Sequence, residues 1–166
     1  MSVQAKRRAD YQPPAFSIAT VDLHITLHPT QTKVISTLSV TRNGAHDSPL
    51  VLDGDNLSLD SISINGTHLS DNEYTVTDSA LSVVTELDEF VLEITNTIAP
   101  EHNKALEGLY LSGGAYCTQC EAEGFRRITY FMDRPDVLSV YTVTVVADKS
   151  VPMLLANGNP VDKGEV

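Results

Sequence analysis

The sequence has no tryptophan and only two cysteines in 166 residues. It is also poor in basic side chains: 11 Lys and Arg face 22 Asp and Glu, for a formal net charge of −11. A surface that negative repels phosphate backbones, so nucleic acid is a poor candidate partner and none is expected. The one basic cluster, Lys6-Arg7-Arg8, sits in a polar leader and reads as a solvated tail. No stretch nears the roughly 20 apolar residues of a membrane helix, so no membrane partner is expected. The opening MSVQAKRRADYQPP has charges with no apolar segment behind them. We therefore expect no secretory signal, a cytoplasmic location and reduced thiols.

Several catalytic signatures are missing too. No histidine is followed by glutamate, so there is no His-Glu-x-x-His zinc helix. There is no Gly-x-Ser-x-Gly and no glycine-rich phosphate loop. His24 and His28 are four apart, but on a strand and a turn they do not share a helical face. Cys117-x-x-Cys120 has no second pair to complete the four ligands of a structural zinc site. A redox pair of that spacing should open a helix in a βαβ setting, and the pattern here is β. Two free, buried or half-buried thiols are the expectation.

What is present is a period of two. In VDLHITL, Val21, Leu23, Ile25 and Leu27 alternate with Asp22, His24 and Thr26. That gives one apolar and one polar face, as in a half-buried antiparallel strand. HPTQT reads as a turn and residues 34–40 as the returning strand. Asn65-Gly66 is a strong hairpin signal, because both residues accept positive φ. Residues 74–76, 80–84, 90–97 and 140–148 are further strand candidates. No helix is predicted beyond a short turn near Pro100. With 42% apolar residues, the chain is long enough for one core. The fold class is an all-β sandwich of short antiparallel strands.

Residues 107–136 break this rhythm. They hold four of the nine glycines and both cysteines, with dense charge. A long irregular segment between strands is more often functional than a plain connection. Within it, Gln119 and Glu121 are two apart, so on extended backbone their side chains share a side. A carboxylate beside an amide suits an ammonium group. Asp133-Arg134-Pro135-Asp136 reads as a turn with a local ion pair.

The stretch ALEGLYLSGGAYCTQCEAEGFRRITYFMDRPDV, residues 105–137, resembles the N-terminal domain of the bacterial aminopeptidase N family, the zinc-dependent gluzincin aminopeptidases. DYQPPAF, SVTRNGAHDSPLVLDG and ADKSVPMLLANGNPV extend the resemblance over almost the whole chain. It implies a β-rich saddle that walls the active site of a separate catalytic domain. It implies peptide substrates with a free N-terminus and Zn2+ in the full-length enzyme. It also implies that Glu121 binds the substrate α-amino group and that Gln119 lines the pocket for the first side chain.

The family's zinc helix and its Gly-Ala-Met-Glu-Asn motif are absent. The expectation is therefore a leader over residues 1–10 and an N-terminal domain over 11–166. That domain is cut slightly short, and the catalytic domain is missing. Alone it should bind no zinc, hydrolyse nothing and expose a strand edge. A stand-alone β-sandwich binding module, or a domain of a related bifunctional epoxide hydrolase/aminopeptidase, are the alternatives.

Overall fold

The structure, a computed structural model, describes residues 7–165. Met1 to Lys6 and Val166 lie outside the described residues, and with them most of the leader. Arg7 and Arg8 are exposed, and Arg8–Asp10 makes one 3-10 turn.

The alternating pattern becomes long strands. β1 (Phe16–Thr26) and β2 (Thr32–Arg42) form a hairpin across the HPTQT turn. His28 organises that turn: its Nδ1 accepts the backbone N–H groups of Thr30 and Gln31, both at 3.2 Å. The inward residues of β1 change phase, from Phe16 and Ile18 to Val21 and Leu23. The register with β2 shifts between Ile18 and Thr20, which leaves Ala19 as a bulge. One extra residue flips every later side chain, so the bulge keeps both halves of the apolar pattern inside.

β3 (Leu50–Asp53), β4 (Ser58–Ile64), β5 (Thr67–His68), β6 (Tyr74–Val76), β7 (Ala80–Val83) and β8 (Glu89–Ile98) follow. Asn65 and Gly66, at φ 50° and 78°, make the β4–β5 hairpin as their sequence predicts. β9 (Gly108–Ser112), β10 (Ala115–Gln119) and β11 (Val140–Val146) complete the set.

The strands form a six-stranded sheet, β11-β1-β2-β8-β4-β5, a three-stranded sheet, β3-β7-β6, and the β9–β10 pair. The fold is the expected all-β sandwich, with one departure from an antiparallel rule. β11 pairs parallel to β1. A parallel partner needs a long crossover, and the excursion through residues 99–139 provides it.

Both sheets feed one apolar cluster. Val34, Leu38, Leu92 and Ile94 from the large sheet, and Leu50, Leu52, Leu81 and Val83 from the small one, are all buried. Each such side chain contributes about 1.5–3 kcal/mol when fully buried. Ile128, Tyr130, Phe131 and Met132 join the same cluster. The segment that breaks the alternation is therefore packed into the core at its far end.

A buried polar strip fixes it there. On the inner face of the large sheet, Ser36 Oγ and Thr129 Oγ1 share a hydrogen bond of 3.0 Å. Asn96 Nδ2 donates to the Ile128 carbonyl at 3.0 Å, while its buried Oδ1 has no partner. Ser36→Ala leaves the Thr129 hydroxyl buried without that bond, so we expect a loss of about 1–2 kcal/mol in urea unfolding. Ser36→Ala with Thr129→Val should lose less than the sum of the two single changes. Full additivity would contradict the shared bond.

Candidate functional site

Residues 108–119 are more regular than the sequence pattern indicates. β9 and β10 form an antiparallel hairpin closed by Gly113 and Gly114, at φ 58° and 85°. Two adjacent glycines between two short runs are a hairpin signal, and it is present here as LSGGAY. Asn103 ties the base of the hairpin, its Nδ2 donating to the carbonyls of Glu107 (2.7 Å) and Leu109 (2.9 Å). The Pro100–His102 turn lies just before it.

Gln119 ends β10, and the chain then turns through Glu121 to Gly124. The Gly124 N–H donates to the Cys120 carbonyl at 2.8 Å and closes the turn. The Glu121–Ala122 peptide is cis. Gln119 Nε2 donates to the Glu121 carbonyl at 3.1 Å. The structure therefore brings the two sequence-predicted residues together, side chain of one on backbone of the other. Both are exposed, and among the described residues the Glu121 carboxylate enters no ion pair.

Glycine is required under this turn. A Cβ on Gly124 would sit well inside contact distance of the Gln119 carbonyl oxygen and 3.1 Å from the Gly108 nitrogen. Gly108 has φ 69°, and a Cβ there would lie 2.6 Å from the Arg127 Cβ. The turn rests directly on the start of β9.

Beyond Gly124, Phe125–Arg127 makes a single 3-10 turn. The Phe125 ring meets Phe131 and Tyr141 edge-on, at 5.2 and 5.8 Å between centroids. Burial, then the Asp133 charge, push the Tyr141 hydroxyl up to about 12. Arg126 points to three carboxylates. Its Nε lies 3.0 Å from Asp133 Oδ2, Nη1 3.5 Å from Asp53 and Nη2 3.6 Å from Glu123. Arg127 pairs with Asp55 at 2.6 Å and Glu107 at 3.1 Å.

Sequence reasoning missed these two clasps. Arg126-Arg127 in a chain this acidic was the available signal. The local ion pair in Asp133-Arg134-Pro135-Asp136 is Arg134 with Asp136, at 2.7 Å. The Arg134 bond, with the Tyr11 hydroxyl, holds the Asp136 carboxyl down at about 2. Arg134 also donates to the Gln12 carbonyl, so this turn docks residues 11 and 12.

Cys117 and Cys120 are free and half-buried. Cys120 packs against the core, and burial, then Asp133 and Glu121, push its thiol up. A raised pKa leaves less of the thiolate that reacts or binds metal. Among the described residues, no three His, Cys, Asp or Glu side chains are grouped to hold a metal ion. The residues present do not fit a zinc ion.

Two concave regions stand out on the surface, of about 370 and 480 Å3. The first is lined by Asp55, His102, Lys104 and Arg127, the second by Leu57, Asp78 and Tyr130 among others. Neither includes Gln119 or Glu121. The Gln119–Glu121 corner is exposed and lies outside both. No helix among the described residues is long and apolar enough to cross a membrane.

Known proteins share this sequence and this fold. Residues 10–165 match the model of the Peptidase M1 N-terminal domain. The chain is 53% identical to aminopeptidase N of Caulobacter vibrioides over 163 residues, 98% of this chain and 19% of the relative. The chain thus spans about a fifth of the length of the curated relatives it matches. The crystal structure of Legionella pneumophila aminopeptidase A in complex with aspartic acid superposes with a TM-score of 0.89 and 34% identity. It covers 97% of this chain and 19% of that one. An M1 zinc metallopeptidase of Deinococcus radiodurans bound to Tyr-Ser-Ala has a TM-score of 0.68 at 21% identity, over 82% of this chain and 33% of that one. At that identity the likeness is one of fold.

Proposed function

Because the chain belongs to the Peptidase M1 N-terminal domain family, we propose that it forms the non-catalytic wall of a zinc-dependent aminopeptidase active site. Glu121 receives the substrate α-ammonium, and Gln119 lines the pocket for the first side chain. The observation that carries this reading is the 53% identity to an aminopeptidase N across 98% of the chain. The exposed Glu121 carboxylate, which enters no ion pair among the described residues, supports the role given to it.

The chemistry is direct. A free peptide amine has a pKa of about 7.7–8.0, so near neutral pH it is largely an ammonium. A carboxylate meeting that ammonium in a partly dry cleft anchors the chain end. It also sets a fixed distance from the N-terminus to the first peptide bond, which selects exopeptidase action. Gln119 donates one Nε2 N–H to the Glu121 carbonyl, and its Oε1 is the acceptor it offers to substrate.

In this reading residues 11–166 are most of an N-terminal domain, and the metal ligands come from further chain. Zinc bound there would activate the attacking water. This domain supplies binding and orientation, and by itself neither holds zinc nor hydrolyses peptides. β11 is an edge strand of the large sheet, with Val140 71% exposed, so further strands could add there. A cytoplasmic location is part of the same proposal.

The test uses the complete reading frame. An aminoacyl anilide with a free amine should be hydrolysed, while its N-acetylated form is inert. Chelation should abolish the rate and Zn2+ restore it. Equal turnover of the acetylated form would overturn the ammonium-anchor reading.

A further inference from the structure

We propose that Arg126 is a positioning residue that sets where the Glu121 carboxylate stands. This rests on the reading of Glu121 as the ammonium receptor. The turn bearing Glu121 is held at two ends. On the N-terminal side β10 delivers Gln119, whose amide grips the Glu121 carbonyl at 3.1 Å. On the C-terminal side the turn closes through Gly124, whose N–H reaches the Cys120 carbonyl at 2.8 Å. Gly124 cannot wander, because its carbonyl also accepts the Arg127 N–H at 3.1 Å. What fixes the 3-10 turn that follows is Arg126.

Arg126 makes three bonds to a single residue. Its backbone N–H and its Nε both reach Asp133 Oδ2, at 3.1 and 3.0 Å, and Nη2 reaches the Asp133 carbonyl at 3.0 Å. Asp133 is in turn held by Asp53, whose Oδ2 accepts the Asp133 N–H at 3.1 Å. Asp53 belongs to β3, so the chain of bonds runs from the small sheet to the turn. The Asp133 side chain is 12% exposed, which shields these bonds from water.

The same guanidinium also disposes of a competitor. Glu123 is the second carboxylate on the turn, and Arg126 Nη2 lies 3.6 Å from it. Pairing Glu123 leaves Glu121 as the carboxylate of this turn available to a substrate ammonium. A lysine could place one charge here. It could not reach Asp133, Asp53 and Glu123 from one planar fork.

The experiment is a double-mutant cycle in the complete polypeptide, with a free-amine aminoacyl anilide as substrate. Arg126→Lys should lower kcat/KM by roughly 5- to 50-fold, mostly through KM. In the Glu121→Ala background the same change should alter kcat/KM by less than about twofold. Asp133→Asn, which keeps the side-chain shape, should repeat the pattern with a smaller loss should Arg126→Lys fold poorly. Equal losses in both backgrounds would show that Arg126 acts through general stability, and would overturn the proposal. So would an unchanged KM. If Glu121→Ala alone has no effect, the ammonium-anchor reading fails first and separately.

Discussion

In the complete polypeptide, Glu121→Ala lowers kcat/KM for a free-amine peptide by roughly 10- to 10³-fold. That fall corresponds to about 1.4–4 kcal/mol, toward the low side of the about 2–5 kcal/mol typical of truncating one partner of a hydrogen-bonded charge pair, as suits an exposed carboxylate. The substrate ammonium then keeps its desolvation cost and loses an acceptor. The loss should fall on kcat/KM whatever the peptide's first side chain, because every free N-terminus carries the same group. Glu121→Gln should recover part of it, since an amide oxygen still accepts a hydrogen bond but carries no charge. Michaelis kinetics on a small set of aminoacyl substrates check this. A change under twofold would remove Glu121 from the site.

Gly124→Ala is the second large effect, and it acts through geometry. The added Cβ would press on the Gln119 carbonyl and the Gly108 nitrogen, both backbone atoms. A backbone neighbour cannot swing away as a side chain can. Overpacking of this kind costs about 1–3 kcal/mol. For a domain of this size that is a fall of about 2–12 °C in Tm. Relief requires the 120–124 turn to lift off β9, and that moves Glu121. We therefore expect kcat/KM to drop along with Tm, where Gly113→Ala, strained by its φ of 58° but meeting no atom within 4 Å at the hairpin tip, lowers Tm and leaves kcat/KM within about twofold. Thermal melts and kinetics on both variants decide it. A Gly124→Ala protein with unchanged Tm and activity would mean that the turn does not sit on β9 as described.

How much of this was readable from the residues depends on the range of the interaction. Short-range signals translated directly. The alternation of Val21, Leu23 and Ile25 gave a strand, and Asn65-Gly66 gave a hairpin with both residues at positive φ. The HPTQT turn joined β1 to β2 as expected. The Gly113-Gly114 hairpin was legible by the same rule but was masked by weak alternation in its strands, where Cys117 and Leu111 are only half-buried.

Long-range features were not legible. β11 pairs parallel to β1 because the chain crosses back over the sandwich, and no local pattern encodes that direction. Asp133 stands next to Arg134 in sequence, yet the local ion pair is Arg134 with Asp136. In space Asp133 belongs to Arg126, within the 3-10 turn seven residues earlier. Ser36 and Asn96 occupy inward positions of strands that otherwise read as apolar, and only the fold shows Thr129 and Ile128 meeting them. Glu121 itself is one acid among 22 Asp and Glu. Its spacing from Gln119 made it a candidate, and the resemblance over residues 105–137 raised it above the others.

The central claim is that Glu121 meets a substrate's α-ammonium, and it can be tested by one structure. The complete polypeptide should be crystallised with a free amino acid bound. The α-nitrogen should lie at about 2.7–2.9 Å from a Glu121 carboxylate oxygen, the range of a charge-assisted bond. An ordered ligand whose α-nitrogen lies beyond about 3.6 Å from both Glu121 oxygens, with its hydrogen bonds made elsewhere, would contradict it.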